Sequence, residues 1–156
     1  MSETSAPLVD SILARAWQRA TALALPYRGA LTPADAFALW HAVGGAQLID
    51  VRTRAELDWV GRVPGALHIE WNSYPGGVRN ARFAEELERA VDKHAGAVLF
   101  LCRSGNRSHH AAAVAAQLGY ADAYNVLEGF EGDKDAHGHR NTLNGWRVAG
   151  LPWTQG

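Results

Sequence analysis

Five consecutive apolar residues, Ala97 to Leu101, lead directly into Cys102, the only cysteine of the chain. A short polar loop containing Gly105 follows, and an alanine-rich segment begins at Ala111. A continuously apolar strand is typical of a parallel sheet covered on both faces, and such sheets alternate strands with helices. The pattern therefore predicts a buried strand, a tight turn and a helix start, with the cysteine at the turn.

The rest of the chain shows the same alternation. Helical spacing and capping signals predict helices over 8–24, 33–43, 80–91 and 108–118, and a short helix opened by the capping box of Thr53 and Glu56. Apolar runs predict strands at 46–51, 66–69, 97–101 and 123–126. We expect a three-layer α/β domain at 30–156, with helices on both faces of a mostly parallel sheet, and a packed N-terminal helical extension at 1–29.

Composition excludes several classes of protein. The 156 residues suit one domain, and a net charge of -1 favours neither nucleic acid nor anionic membranes as partners. No apolar run approaches the roughly 20 residues of a membrane span. The opening Met-Ser-Glu-Thr-Ser does not resemble a signal peptide, and a lone cysteine cannot form an internal disulfide. These features predict a cytoplasmic location.

The loop after the central strand is a candidate catalytic site. Backbone N–H groups and a helix N-terminus around Cys102 would favour its thiolate and bind an anionic substrate. The candidate substrate-binding residues are Arg103, Ser104, Gly105, Asn106, Arg107 and Ser108. A lone cysteine is more often a small buried hydrophobe, but these polar neighbours would be costly to bury.

Loop length restricts the anion that this site could bind. Cysteine phosphatases carry Cys-x5-Arg, whereas four residues separate Cys102 from Arg107 here. The smaller cradle suits a single sulfur atom carried on the thiolate better than a tetrahedral phosphate.

Four motifs in register resemble the single-domain rhodanese family of sulfurtransferases over about residues 30–153. They are Leu48-Ile49-Asp50-Val51-Arg52 with Ala55-Glu56; Gly61-Arg62-Val63-Pro64-Gly65-Ala66-Leu67-His68-Ile69; the loop at 102–108; and Asn125 to Phe130 with Gly145-Trp146 and Gly150-Leu151-Pro152. The N-terminal helix and the stretch from Glu131 to Asn144 depart from the family pattern. Neither departure touches the loop at Cys102.

The resemblance implies a rhodanese-like fold and a sulfur transfer without a cofactor. Cys102 would take a sulfur atom from thiosulfate or a similar small anionic donor and pass the persulfide sulfur to cyanide or a thiol, with a thioredoxin-like protein among the candidate acceptors. We expect Arg103 to attract the sulfonate and Arg107 to pin the loop. Because the chain has no second cysteine, an outside acceptor must discharge the persulfide.

Other residues are weaker candidates. Asp50 and Arg52 could support the loop, although a structural ion pair is the simpler interpretation, and His68 is expected to be a hydrogen-bonded core residue. His109 and His110 lie where the helix dipole disfavours a charged histidine. The sequence leaves open whether Trp71 and Tyr74 line a pocket or simply pack.

A metal site is a further, weak candidate. Acids alternate from Asp133 to His137 as in a calcium loop, but the twelfth position is Asn144, so we expect a hydrogen-bonded surface loop and no metal.

Two alternative functions remain at this point. One is an arsenate reductase or phosphatase on the same fold. The other is a non-catalytic or slow persulfide carrier that docks a partner through its N-terminal helix. The oligomeric state is not set by the sequence, and an apolar side of that helix is where a dimer contact would lie.

Overall fold

The computed structural model describes residues 6–155, and its strands form a five-stranded sheet. Helices and strands alternate along the chain. In chain order they are α1 (Ala6–Leu23), β1 (Gly29–Leu31), α2 (Pro33–Ala42), β2 (Gln47–Asp50), α3 (Arg54–Trp59), β3 (Leu67–His68), α4 (Phe83–Ala90), β4 (Val98–Leu101), α5 (Asn106–Gln117) and β5 (Ala123–Val126).

The sheet has the strand order β1-β5-β4-β2-β3, and all of its strand pairings are parallel. Strand β4 lies at the centre, paired with β5 on one side and β2 on the other, and all four of its residues are buried. Leu101 pairs with Asp50, so β4 and β2 end side by side. Side chains at the carboxyl ends of these strands therefore meet at one edge, where open α/β sheets bind ligands.

Helices cover both faces of the sheet, which confirms the α/β class and the three layers. One core cluster joins α1 and α2 to the sheet through residues such as Ile12, Leu39 and Leu99. The other joins α4 and α5 to it through Leu87, Ala112 and residues of β4 such as Phe100. Alternate residues of β4 thus fill two different cores, which explains its uninterrupted apolar sequence.

The structure differs from the predicted elements by one additional strand and by the residues at which two helices begin. Strand β1 was not predicted, because three residues beside a proline carry no periodic signal; it pairs with β5 alone. Helix α4 begins at Phe83 and not at Asn80. Helix α5 begins at Asn106, two residues before the predicted start, because Gly105 has a φ of 104° and forms the N-cap. Within residues 6–155, no helix has the length and hydropathy needed to cross a bilayer.

Candidate active site

Cys102 follows the last residue of β4 and is 1% exposed. Cys102 nevertheless borders a cleft of about 1030 Å³. The Gly105 N–H donates to Sγ at 3.1 Å, and the Ser108 hydroxyl lies 3.2 Å from it. The side chain therefore has polar partners on the side of the loop and apolar neighbours from the core beneath it.

The backbone amides of the loop are only partly used. In the described chain, Gly105 supplies the single backbone donor to Sγ, whereas the sequence predicted a ring of them. The N–H groups of four other residues have no protein acceptor within residues 6–155: Arg103, Ser104, Asn106 and Arg107. Free amides at the start of a helix form a site for negative charge.

A buried polar network lies on the inner side of the sulfur. The Ser108 hydroxyl donates to the Asn125 Oδ1 at 2.5 Å, and the Asn125 amide donates to the Gly105 carbonyl at 3.1 Å. Both side chains are at most 3% exposed. Asn125 on β5 thereby ties the N-cap of α5 to the residue that contacts Sγ.

Arg107 lies in the first turn of α5 and forms a bidentate ion pair with Glu56 of α3. Its two Nη atoms donate to the two carboxylate oxygens at 2.7 and 2.8 Å. Burial acts to raise the pKa of Glu56, but the hydrogen bonds and charge of Arg107, with hydrogen bonds from Thr53, lower it to about 2. Burial acts to lower the pKa of Arg107, and Glu56 outweighs it, so both groups stay charged.

Asp50 and Arg52 form a second ion pair under the loop, with an Nη2–Oδ2 distance of 2.6 Å, and both are essentially buried. Arg52 also donates to the Gly61 carbonyl and lies 4.2 Å from the ring centre of Phe130. The His68 Nε2 lies 2.7 Å from the Arg52 carbonyl. These three residues contact one another and the protein, and none of them borders the cleft.

The segment after β5 supports the loop from the other side. The N–H groups of Phe130 and Glu131 donate to the carbonyls of Cys102 and Arg103 at 2.8 and 3.0 Å. Gly129 lies so close that a Cβ atom there would be 2.4 Å from the Arg103 carbonyl carbon. This close approach explains why position 129 is a glycine. It also restricts the backbone conformation of Cys102 and Arg103.

Arg103 is exposed and borders the cleft, as do the half-buried Ser104 and the exposed Asn106. Two exposed aromatic residues, Trp59 and Tyr74, also line it, with ring centres 6.1 Å apart. Trp71 is instead 9% exposed and packs against Phe83, so it belongs to the core.

The acids of the calcium-like segment form hydrogen bonds within their own loop, and Asp135 lies at the centre of this network. Its carboxylate accepts from the N–H groups of His137 and His139 and from the Thr142 hydroxyl. The backbone hydrogen bond from His139 contributes most to lowering the pKa of Asp135. Within residues 6–155 no group of three or more histidine, cysteine or acidic side chains is placed to hold a metal ion.

The two histidines of α5 contact residues outside the cleft. The His109 Nδ1 lies 2.7 Å from the Tyr27 hydroxyl, and burial, followed by the charge of His110, lowers the pKa of His109. The ring of His110 stacks on that of Trp71. Neither histidine borders the cleft.

Two residues that hold the loop were missed at the level of sequence. Glu56 was predicted as part of a capping box, which it does form, and of the first family motif, but its pairing with Arg107 spans 51 positions and was not predicted. For Asn125 the sequence indicated only a place at the start of a motif. A polar residue in an otherwise apolar strand was the available signal, because such a residue needs a partner when buried.

Comparisons with known proteins point to one family. A model of the rhodanese-like domain matches residues 34–136. A crystal structure of the protein Rv0390 from M. tuberculosis is 43% identical and superposes with a TM-score of 0.77, covering 83% of this chain and 99% of that one. An uncharacterized protein of Rickettsia conorii is 37% identical over 109 residues, which are 69% of this chain and 82% of that protein. Human thiosulfate:glutathione sulfurtransferase is 33% identical over 90 residues, which are 54% of this chain and 75% of the human protein.

Proposed function

This chain belongs to the family of rhodanese-like domains, and we propose that it is a sulfurtransferase that carries a sulfur atom on Cys102. The observation that carries the proposal is the environment of Cys102, a polar loop with four unpaired amides that borders a cleft. A sulfurtransferase is also among the relatives of the chain.

In the first step, the Cys102 thiolate attacks the outer sulfur of thiosulfate or a similar donor. The S–S bond of the donor breaks, sulfite leaves with the electron pair, and the enzyme holds a persulfide anion. The amides of Arg103, Ser104, Asn106 and Arg107 are free to donate to the outer sulfur as its charge develops. The exposed guanidinium of Arg103 attracts the sulfonate, and Arg107, already bound to Glu56, holds the loop in place.

In the second step, an acceptor thiolate or cyanide attacks the outer sulfur, and the Cys102 thiolate leaves with the electron pair of the broken S–S bond. The Gly105 N–H, 3.1 Å from Sγ, can donate to this leaving sulfur, whereas the Ser108 hydroxyl has its hydrogen bonded to the Asn125 Oδ1. Asp50, Arg52 and His68 act in this scheme only as support beneath the loop. The acceptor comes from outside, because the chain has no second cysteine.

Mass spectrometry of the intact protein tests the proposal. Thiosulfate should add about 32 Da, the mass of one sulfur atom, and cyanide should remove it. The adduct must form on Cys102, so Cys102→Ser should remain unmodified. The proposal is wrong if no adduct forms. A protein that instead hydrolyses p-nitrophenyl phosphate through Cys102 is a phosphatase.

Turnover separates an enzyme from a passive carrier. An enzyme should release sulfite from thiosulfate repeatedly when an acceptor is in excess. A protein that loads one sulfur atom and discharges it only over hours would be a persulfide carrier. We propose a cytoplasmic location, because a persulfide requires a reduced cysteine.

A further inference from the structure

The segment from Glu131 to Asn144, which departs from the family pattern, forms part of the wall of the cleft. Six of its residues border the cleft: Glu131, Lys134, Gly138, His139, Arg140 and Asn141. Hydrogen bonds within the segment stabilise its conformation. The Asp135 carboxylate accepts three of them, and the Asp133 N–H donates to the Asn144 Oδ1 at 2.9 Å. The segment is therefore a preorganised wall.

The cleft is positively charged where this segment borders it. Within residues 6–155, Arg103, Lys134 and Arg140 form no salt bridge, whereas Arg107 is neutralised by Glu56. Arg140 donates to the Gly132 carbonyl at 2.7 Å, which holds its guanidinium beside the cleft without cancelling its charge. Glu131 is the one acid of the cleft without a cation partner in the described chain. Three free cations against one carboxylate favour a ligand with negative charge.

The size of the cleft exceeds what the donor needs. At about 1030 Å³ it is as large as sites that hold drug-sized ligands, whereas thiosulfate has only five heavy atoms. The aromatic rings of Trp59 and Tyr74 add an apolar surface for which a sulfonate has no use. In the proposed function, the guanidinium of Arg103, next to Cys102 in the chain, binds the sulfonate of the donor. Lys134 and Arg140 therefore have no task in binding thiosulfate.

We propose that Lys134 and Arg140 form a carboxylate subsite for the sulfur acceptor, which is a low-molecular-weight thiol carrying carboxylate groups. This inference rests on the proposed function and specifies its second step. The acceptor lays its carbon skeleton along the cleft with its thiolate at the persulfide and its carboxylates at the two cations. In the transfer, the acceptor thiolate forms an S–S bond with the outer sulfur, and the Cys102 thiolate leaves.

The test compares two thiols with the same peptide skeleton, one with free carboxylates and one with both carboxylates esterified. Protein loaded with thiosulfate and freed of excess donor is mixed with glutathione, which has two carboxylates, or with its diethyl ester, which has none. Loss of the persulfide is followed by mass spectrometry. We expect Lys134→Ala and Arg140→Ala each to slow discharge by glutathione about threefold, and the double variant about tenfold, since exposed charge pairs contribute modestly. Discharge by the ester and loading by thiosulfate should change less than twofold.

The chain offers a matched control, because Lys93 is its only other lysine and pairs with Glu88 away from the cleft. Lys93→Ala should behave as the wild type with both thiols. The proposal is overturned if Lys134→Ala and Arg140→Ala discharge glutathione at the wild-type rate, or if they slow the ester equally. Preference for a protein thiol over glutathione at equal concentration would also overturn it.

Binding without chemistry separates this inference from the proposed function. S-Methylglutathione lacks a reactive thiol, and calorimetry should show that it binds the wild type more tightly than the double variant by about tenfold. If the protein never forms a persulfide, the proposed function fails whatever this result is. If it does form one and S-methylglutathione binds both proteins equally, only the subsite is refuted.

Discussion

The Arg107 guanidinium and the Glu56 carboxylate lie face to face, joined by two hydrogen bonds of 2.7 and 2.8 Å. The pair connects the first turn of α5 to α3, and Glu56 also closes the capping box of α3 with Thr53. One carboxylate thus stabilises a helix start and holds the loop that carries Cys102. Bidentate pairs of this kind fix orientation as well as charge.

The Glu56 carboxylate makes stability depend on pH. Its pKa falls from an ordinary 4.5 to about 2 in the folded protein, so its contribution is complete above pH 4.5 and is lost as the pH falls toward 2. The shift corresponds to about 3 kcal/mol. In Glu56→Gln that contribution is absent, so the gap in unfolding free energy between wild type and variant should narrow as the pH falls below 4.5. Urea unfolding between pH 3 and pH 7 measures it.

A surface carboxylate serves as the control. Glu85 pairs with Arg82 and Arg89 on the exposed face of α4. Glu85→Gln should therefore change the unfolding free energy little at any of these pH values. If the difference in unfolding free energy between wild type and Glu56→Gln stays constant between pH 3 and pH 7, the lowered pKa of Glu56 is contradicted.

Gly129 is required by space as well as by conformation. Its φ is 66°, and an added Cβ would meet the backbone of Arg103 and Ser104 at 2.4–2.5 Å. We expect Gly129→Ala to shift the loop, slow persulfide formation at least about tenfold and lower the unfolding free energy by about 3 kcal/mol.

Gly138 isolates the conformational part of that effect. Its φ is 78°, but nothing lies within 4 Å of an added Cβ. Gly138→Ala should therefore cost about 1 kcal/mol of stability and leave persulfide formation on Cys102 intact. Equal activities of the two variants would show that the contact with Arg103 does not matter. Thermal melts and mass spectrometry after thiosulfate treatment decide this.

The sequence predicted best what local signals encode. The capping box of Thr53 and Glu56 formed as predicted at the start of α3, because a capping motif needs only four residues. Strand β4 was predictable because both of its faces are buried. The α/β class follows from the same signals.

Contacts between distant segments could not be predicted in this way. The bonds from Glu56 to Arg107 and from Asn125 to Ser108 depend on which strands are neighbours and on their register, which the pattern of one segment does not contain. Strand β1 is recognisable only from its pairing with β5. The cleft wall from Glu131 onward also requires the tertiary structure, since its hydrogen bonds run across a loop without periodicity.

The Asp50–Arg52 pair should show strong coupling. Removing one partner leaves the other charge buried, so Asp50→Leu and Arg52→Met should each cost about 3–5 kcal/mol. The double variant should cost less than the sum of the two, because no charge is left unpaired. Denaturant unfolding of the four proteins gives the coupling energy. The exposed pair Arg54–Asp58 on α3 is the control, with coupling below about 1 kcal/mol; similar coupling at both sites would refute the structural role of the buried pair.

Helix α1 tests where the folding unit begins. The sequence predicted residues 1–29 as a helical extension packed on the domain, and Ile12 is 1% exposed and lies in the same core cluster as Leu99 of β4. We therefore propose that this helix belongs to the folding unit. Ile12→Ala should then lower the unfolding free energy by about 2–4 kcal/mol. Leu8, in the same helix but 49% exposed, provides the comparison, and Leu8→Ala should change it by less than about 0.5 kcal/mol. If Ile12→Ala and Leu8→Ala both change the unfolding free energy only slightly in denaturant unfolding, α1 packs on a domain that folds without it.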